Sequence, residues 1–193
     1  TKEDFINGGY LEYRLQNMII NTIDAGYSGA EGIREAFAKS ADLLSDFRMV
    51  EEKKLIEDLF RDINSHSGLG VYGLKDVIEL LKNNVVKILI ITDDTNLNRV
   101  EGKCRRCQHI QEEIVERRDV IPKKTKYVNS PCPGCNSMEV EVNEQDIVDY
   151  LELLAAKTGS RLEVVSGSAE HGIMLSSLGK VGAILRYNPS HSK

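Results

Sequence analysis

Val85-Val-Lys-Ile-Leu-Ile-Ile91 is the stretch whose reading decides the fold class. It is an apolar run rich in β-branched residues, the mark of a strand buried on both faces. Such a strand needs a layer on each side. Just before it, Leu74, Val77, Ile78 and Leu81 recur at i, i+3, i+4, i+7 and predict an amphipathic helix. Further upstream, Leu55, Ile56, Leu59, Phe60 and Ile63 predict another over residues 50–63, and residues 65–70 punctuate the chain after it. Beyond a polar stretch, Ile147, Val148, Leu151, Leu154 and Ala155 predict a helix over 144–158. A strand at Leu162-Glu-Val-Val165 follows, then a short helix over 170–178 with Ile173, Met174 and Leu178 on its apolar side. A last strand falls at Val181-Gly-Ala-Ile-Leu185. Strands alternating with helices predict a layered α/β sandwich over residues 41–193.

Residues 1–40 do not make a domain. Met18-Ile-Ile-Asn-Thr-Ile23 reads as a strand and Asp24-Ala-Gly-Tyr-Ser-Gly29 as a turn. A helix follows over 30–40, with Ile33, Ala36 and Phe37 on one side. One strand and one helix fit the tail of a truncated domain. The chain opens on Thr1 rather than Met, which fits an expressed piece of something longer.

Composition narrows the function classes. The 193 residues are 41% hydrophobic and 28% charged, enough for a sizeable core with a polar surface. No apolar run approaches the roughly 20 residues that cross a bilayer. No basic start followed by an apolar block marks an export signal. The net charge of -5 argues against a chain that binds nucleic acid over its whole surface. A cytoplasmic location is expected.

Residues 98–140 break the helix–strand rhythm and hold all four cysteines, as Cys104-Arg-Arg-Cys107 and Cys132-Pro-Gly-Cys135. Each Cys-x-x-Cys turn presents two thiolates, and two such turns close a tetrahedral Zn²⁺ site. Four cysteines leave no open position, so the zinc is expected to be structural. A redox pair or free thiols are the other readings. His109 could replace a cysteine, but with four available it reads as solvated. Residues 98–128 carry nine cations against five acids, so contact with ribosomal RNA competes with an ordinary solvated surface. Gly68-Leu-Gly-Val-Tyr-Gly73 has the spacing of a dinucleotide loop but follows a helix rather than a strand, which argues for a glycine-rich run into the next helix. Asp93-Asp94 reads as turn chemistry. His66, His109, His171 and His191 are scattered singly, and no catalytic group stands out, so no enzyme is expected.

Several segments resemble archaeal and eukaryotic class-one peptide chain release factors. Ile23-Asp-Ala-Gly-Tyr-Ser-Gly29 with Gly32-Ile-Arg34 resembles the end of that family's central domain. Glu51-Glu-Lys-Lys-Leu55, Tyr72-Gly-Leu-Lys-Asp-Val77 and Val86-Lys-Ile-Leu-Ile90 resemble the start of its C-terminal domain. Leu162-Glu-Val-Val-Ser166 and Gly182-Ala-Ile-Leu-Arg-Tyr187 resemble its closing strands. Gly179-Lys180 departs from the two glycines frequent there. The resemblance implies an α/β C-terminal domain with an inserted minidomain at 98–140, whose cysteine pairs look archaeal. Pelota, a related ribosome-rescue protein, lacks the insert. It also implies docking of an elongation-factor-type translational GTPase and contact with the ribosome and the recycling ATPase. The family's Gly-Gly-Gln loop, which promotes peptidyl-tRNA hydrolysis, occurs nowhere in this sequence, nor does its stop-codon-reading motif.

Overall fold

A computed structural model describes residues 2–10, 12–16, 18–19 and 21–189. The chain forms two compact units, residues 1–51 and 52–193. The first holds α1 (Lys2–Asn7), α2 (Tyr13–Gln16) and the start of α3 (Gly29–Asn64). The loop before α3 is pinned to it locally. Glu35 accepts from the Gly26 N–H at 2.7 Å, Lys39 donates to the Asp24 carbonyl at 2.8 Å, and Glu35 pairs with Lys39 at 2.7 Å. No strand is present at the described residues between 18 and 23, and Ile20 lies outside them. Among the described residues this stretch has no partner strand, so its backbone has no ladder to join.

Where two helices were expected, over 30–40 and 50–63, α3 runs unbroken for 36 residues. The intervening Ala41-Asp-Leu-Leu-Ser-Asp-Phe-Arg-Met49 contains neither Gly nor Pro, so nothing local stops it. Apolar periodicity fades there because Leu44, Phe47, Met49 and Val50 are exposed, and fading periodicity mimics a break.

The second unit is built on a four-stranded mixed sheet of order β1-β7-β2-β6, from β1 (Gly70–Tyr72), β2 (Val86–Thr92), β6 (Arg161–Val165) and β7 (Val181–Leu185). β2 runs parallel to β6 and antiparallel to β7. On one face α4 (Leu74–Lys82) and α6 (Ile147–Thr158) bury Val77, Ile78, Leu81, Ile147, Leu151 and Ala155 against Leu89, Ile91 and Ala183. On the other, Ile56 and Leu59 of α3 and Leu175 of α7 (Glu170–Ser177) cover Ile90 and Val165. The result is a mixed α/β fold in layers. The polar Lys87 is accommodated where the β2–β7 register slips between Val86 and Ile88, a bulge that leaves it exposed.

The sequence-based bounds shift at one helix. Residues 144–146 belong to a strand, and α6 starts only at Ile147, because the Asp146 carboxylate caps it by accepting from the Val148 N–H at 2.9 Å. Gly159, at φ 63°, ends it in the left-handed conformation that favours glycine. Among the described residues no helix is long and apolar enough to cross a membrane.

Between β2 and α6 a second sheet is inserted, of order β4-β3-β5 and fully antiparallel: β3 (Leu97–Cys104), β4 (Ile110–Glu116) and β5 (Val140–Asp146). The stretch expected over 98–140 therefore contains strands of its own, and its sheet reaches residue 146. Those strands are hard to read from sequence because they carry few apolar residues and are paired largely by charge. α5 (Val120–Asn129) packs across the sheet, where Val100, Val120 and Tyr127 form a core of three buried side chains against thirteen in the larger cluster of the sandwich.

Gly172 tests the packing of α7. It is buried, and a Cβ there would sit 1.9 Å from the Ser166 carbonyl oxygen and 2.9 Å from the Gly167 Cα. Both are backbone atoms that cannot rotate away. Gly172→Ala is expected to cost about 3 kcal/mol, measured as a lowered urea midpoint with an unchanged slope.

Candidate metal centre

Two backbone turns of the same design carry the cysteines. Cys104 is the last residue of β3. Its N–H donates to the His109 carbonyl at 2.9 Å, and its carbonyl accepts from the Gln108 N–H at 2.9 Å. In the second turn the Cys132 N–H donates to Ser137 at 2.8 Å, and the Cys132 carbonyl accepts from the Asn136 N–H at 2.8 Å. Gln108 and Asn136 each follow the second cysteine of a pair, and each has φ 61°. Residues of this type tolerate the left-handed region unevenly, Asn better than most. Sequence reading did not single these two out, and the only signal was a polar amide directly after each Cys-x-x-Cys.

The turns face each other. All four Sγ atoms lie within 4.8 Å of one another, with Cys104–Cys135 and Cys107–Cys132 each at 3.6 Å. A tetrahedral ion with metal–sulfur bonds of about 2.3 Å sets its sulfurs about 3.8 Å apart, so the donor set fits. The sulfurs are too far apart to be disulfide-bonded, and all four cysteines are free. Gly134 permits the approach. A Cβ there would sit 3.2 Å from the His109 Cβ and 3.4 Å from the Cys107 Sγ.

Electrostatics shows why four thiols at this spacing suit a cation. Backbone hydrogen bonds from Cys107 and then Arg106, with the neighbouring thiols, lower Cys104 to about 7 against the cost of burial. Cys107 is pushed up to about 12. The His109 N–H lowers it, but its three neighbouring sulfurs and desolvation outweigh that. A divalent cation removes this opposition, since it binds thiolates and displaces their protons.

The other candidate groups are not brought into a site. His109 packs against Gly134 and is not one of the cluster. His66 and His171 stand apart, and His191 lies outside the described residues. The glycine run 68–73 leads into α4 as expected, with Gly73 at φ 92° directly before Leu74, and it also contains an edge strand, β1, paired antiparallel with β7. Asp93 accepts from the Gly167 N–H at 2.8 Å, and Asp94 pairs with Lys180 at 2.6 Å, which holds its carboxyl below the usual range together with a Thr92 hydrogen bond. Both acids tie loops together.

The basic character of residues 98–128 is neutralised in three dimensions. Arg99 pairs with Glu101 and Glu112, Arg105 with Glu141, Arg117 with Asp146, Arg118 with Glu116, Lys123 with Glu113, and Lys124 with Glu144. Over the whole inserted sheet, residues 97–146, nine cations meet nine carboxylates. Only Lys103, Arg106 and Lys126 are left without an acidic partner among the described residues.

A family model described as eRF1 domain 3 matches residues 49–189. The chain is 32% identical over 189 residues to peptide chain release factor subunit 1 of Methanocaldococcus jannaschii. It is 37% identical over 190 residues to the same factor of Methanococcus vannielii. Each alignment covers 97% of this chain and 45% of the relative, so the chain spans less than half the length of these curated relatives. A solved C-terminal domain of a peptide chain release factor from Methanosarcina mazei superimposes with a TM-score of 0.70 at 27% identity, covering 86% of this chain and 99% of that one. The matched span takes in the sandwich and the cysteine insert together, and the chain belongs to the eRF1 domain 3 family of peptide chain release factors.

Proposed function

We propose that this chain serves as the partner-binding C-terminal domain of an archaeal-type translation termination factor, and that it carries one structural zinc ion. The match of residues 49–189 to the release-factor domain carries the reading. In the full-length factor the domain docks an elongation-factor-type translational GTPase and contacts the ribosome and the recycling ATPase, all in the cytoplasm. The release factors named above favour this over a Pelota-like rescue factor. Its role is to bind rather than to catalyse. The sequence holds no Gly-Gly-Gln, and Asp93 and Asp94, at strand ends where open α/β sheets often hold ligands, are engaged in structural bonds. The balanced charge of the insert speaks against a free-standing zinc-ribbon RNA-binding module, because phosphate contacts draw on unpaired Lys and Arg. Any contact with ribosomal RNA rests on Lys103, Arg106 and Lys126.

Zinc is the ion this donor set favours. Cys104, Cys107, Cys132 and Cys135 form a closed thiolate set, the arrangement of structural zinc sites. Bound there, zinc supplies a cross-link between the two turns. A core of three buried side chains is too small to hold the insert unaided, and small units of this kind are commonly stapled by metal.

Three outcomes are expected. Elemental analysis of chain purified without chelator should find one zinc per molecule, and a metal-free protein with four titratable thiols would end the zinc reading. Cys104→Ser, or metal removal, should raise amide exchange over residues 97–146 by tenfold or more while β2 and β7 keep their protection, because the sandwich has a thirteen-residue core of its own to which the insert adds the half-buried Leu97 and Ile114. In a reconstituted archaeal termination reaction, excess chain should release no peptide by itself and should inhibit the full-length factor, with added GTPase relieving the inhibition. Peptide release by this chain alone would overturn the binding role, and lack of inhibition at any concentration would place GTPase docking elsewhere.

A further inference from the structure

The cysteine cluster is unevenly shielded. Cys104 and Cys132 are buried, Cys135 is half-buried, and Cys107 is exposed. Cys107 is therefore the residue of the cluster most open to solvent, and the Cys132 Sγ lies 3.6 Å from its Sγ, held in place by the Gly134 N–H at 3.3 Å. Cys104 and Cys135 form the other close pair, also at 3.6 Å.

We propose that Cys107 is a peroxide-oxidation site and that Cys132 resolves it to a Cys107–Cys132 disulfide, which expels the metal but keeps the insert tied. The inference rests on the zinc reading above. In the first step the Cys107 sulfur, which bound zinc would hold as a thiolate, attacks one peroxide oxygen, the O–O bond breaks, hydroxide leaves, and Cys107 becomes a sulfenic acid. In the second the Cys132 thiolate attacks the Cys107 sulfur, the S–S bond forms, the S–O bond breaks, and a second hydroxide leaves. Two protons from solvent turn both hydroxides into water. The two electrons lost by the thiolate pair are the two gained by peroxide. Cys104 and Cys135 then remain as the only ligands, too few to hold zinc. The disulfide joins the same two turns that the metal joined, so oxidation exchanges one cross-link for another, whereas chelation removes the cross-link altogether.

The test uses the zinc-loaded chain and hydrogen peroxide. Zinc release is followed with a chromogenic chelator, and the products are mapped by non-reducing trypsin digestion. Cleavage after Lys103, Arg105 and Arg106 separates Cys104 from Cys107, and fragmentation between Cys132 and Pro133 distinguishes Cys132 from Cys135. One zinc released for each Cys107–Cys132 disulfide is expected. Amide exchange over 97–146 should stay within about threefold of the zinc form, and reductant with added zinc should restore the original state. A first product linking Cys104 to Cys107 or Cys135 would overturn the proposal, as would zinc release with Cys107 unmodified. Exchange in the oxidised chain as fast as in the chelated chain would also overturn it. A chain that holds no zinc when purified instead removes the zinc reading, and this inference with it, while zinc present with another disulfide removes this inference alone.

Discussion

Leu89 and Ile90 are neighbours in β2, point to opposite sides of the sheet, and are both closed to water. Much of the second unit follows from that alternation. A strand with no wet face needs an apolar layer above and below it, and α4 with α6 on one side and α3 with α7 on the other provide them. β7 completes the constraint. It pairs with β2 along five register positions and is buried over four of its five residues. Strand pairing and helix packing therefore stabilise the same residues, and Leu89→Ala would open a cavity where both meet, a class of change that typically costs 2–5 kcal/mol.

The insert obeys a different economy of forces. Its hydrophobic core is minimal, and charge pairing lines its strands instead. Arg99 is central. Its guanidinium bonds Glu101 and Glu112 and stacks over the Tyr150 ring at 4.6 Å, while Lys82 of α4 reaches Glu112 at 3.4 Å. Exposed ion pairs contribute little on their own, but the Arg99 side chain is only 16% exposed and engages one strand partner, one cross-strand partner and one aromatic ring of α6 at once. Planar stacking with forked donation suits Arg and not Lys. The inserted sheet is thus fixed to the sandwich by this polar contact together with the packing of Leu97 and Ile114 against the sandwich core, while the metal centre lies at the far end of β3, at Cys104.

Legibility followed burial. β2, β7, α4 and α6 were readable because their side chains meet a core on the predicted faces, and Val77, Ile78, Leu81, Leu151 and Ala155 are buried as their spacing requires. The cysteine pairs were readable because ligand spacing is a local property, and the four sulfurs do converge. The strands of the insert were not. Ile110-Gln-Glu-Glu-Ile-Val-Glu116 carries too little apolar alternation to announce itself, and its pairing with β3 is specified by partners such as Arg99 and Glu112, thirteen residues apart. The local basicity of 98–128 misled for the same reason, since Glu141, Glu144 and Asp146 lie beyond it in sequence and beside it in space. The continuity of α3 through Leu44 and Phe47 was hidden because periodicity reports burial, not helicity.

The inserted sheet leaves the sandwich and returns to it at one point. Asn98, near the start of β3, and Asp146, the last residue of β5, are cross-strand partners. Such partners sit about 4.5–5.5 Å apart in an antiparallel pair, a gap that a short turn can close. The domain is therefore built like a socket and plug. A lineage could lose the whole cysteine-bearing module, or exchange it for another, without moving any strand of the sheet or any helix packed on it. Such a deletion would remove the Arg99 contact with Tyr150, the Lys82–Glu112 pair, the packing of Leu97 and Ile114 on the sandwich core, and the cap that Asp146 places on α6, and a polar residue left at position 146 would restore the last.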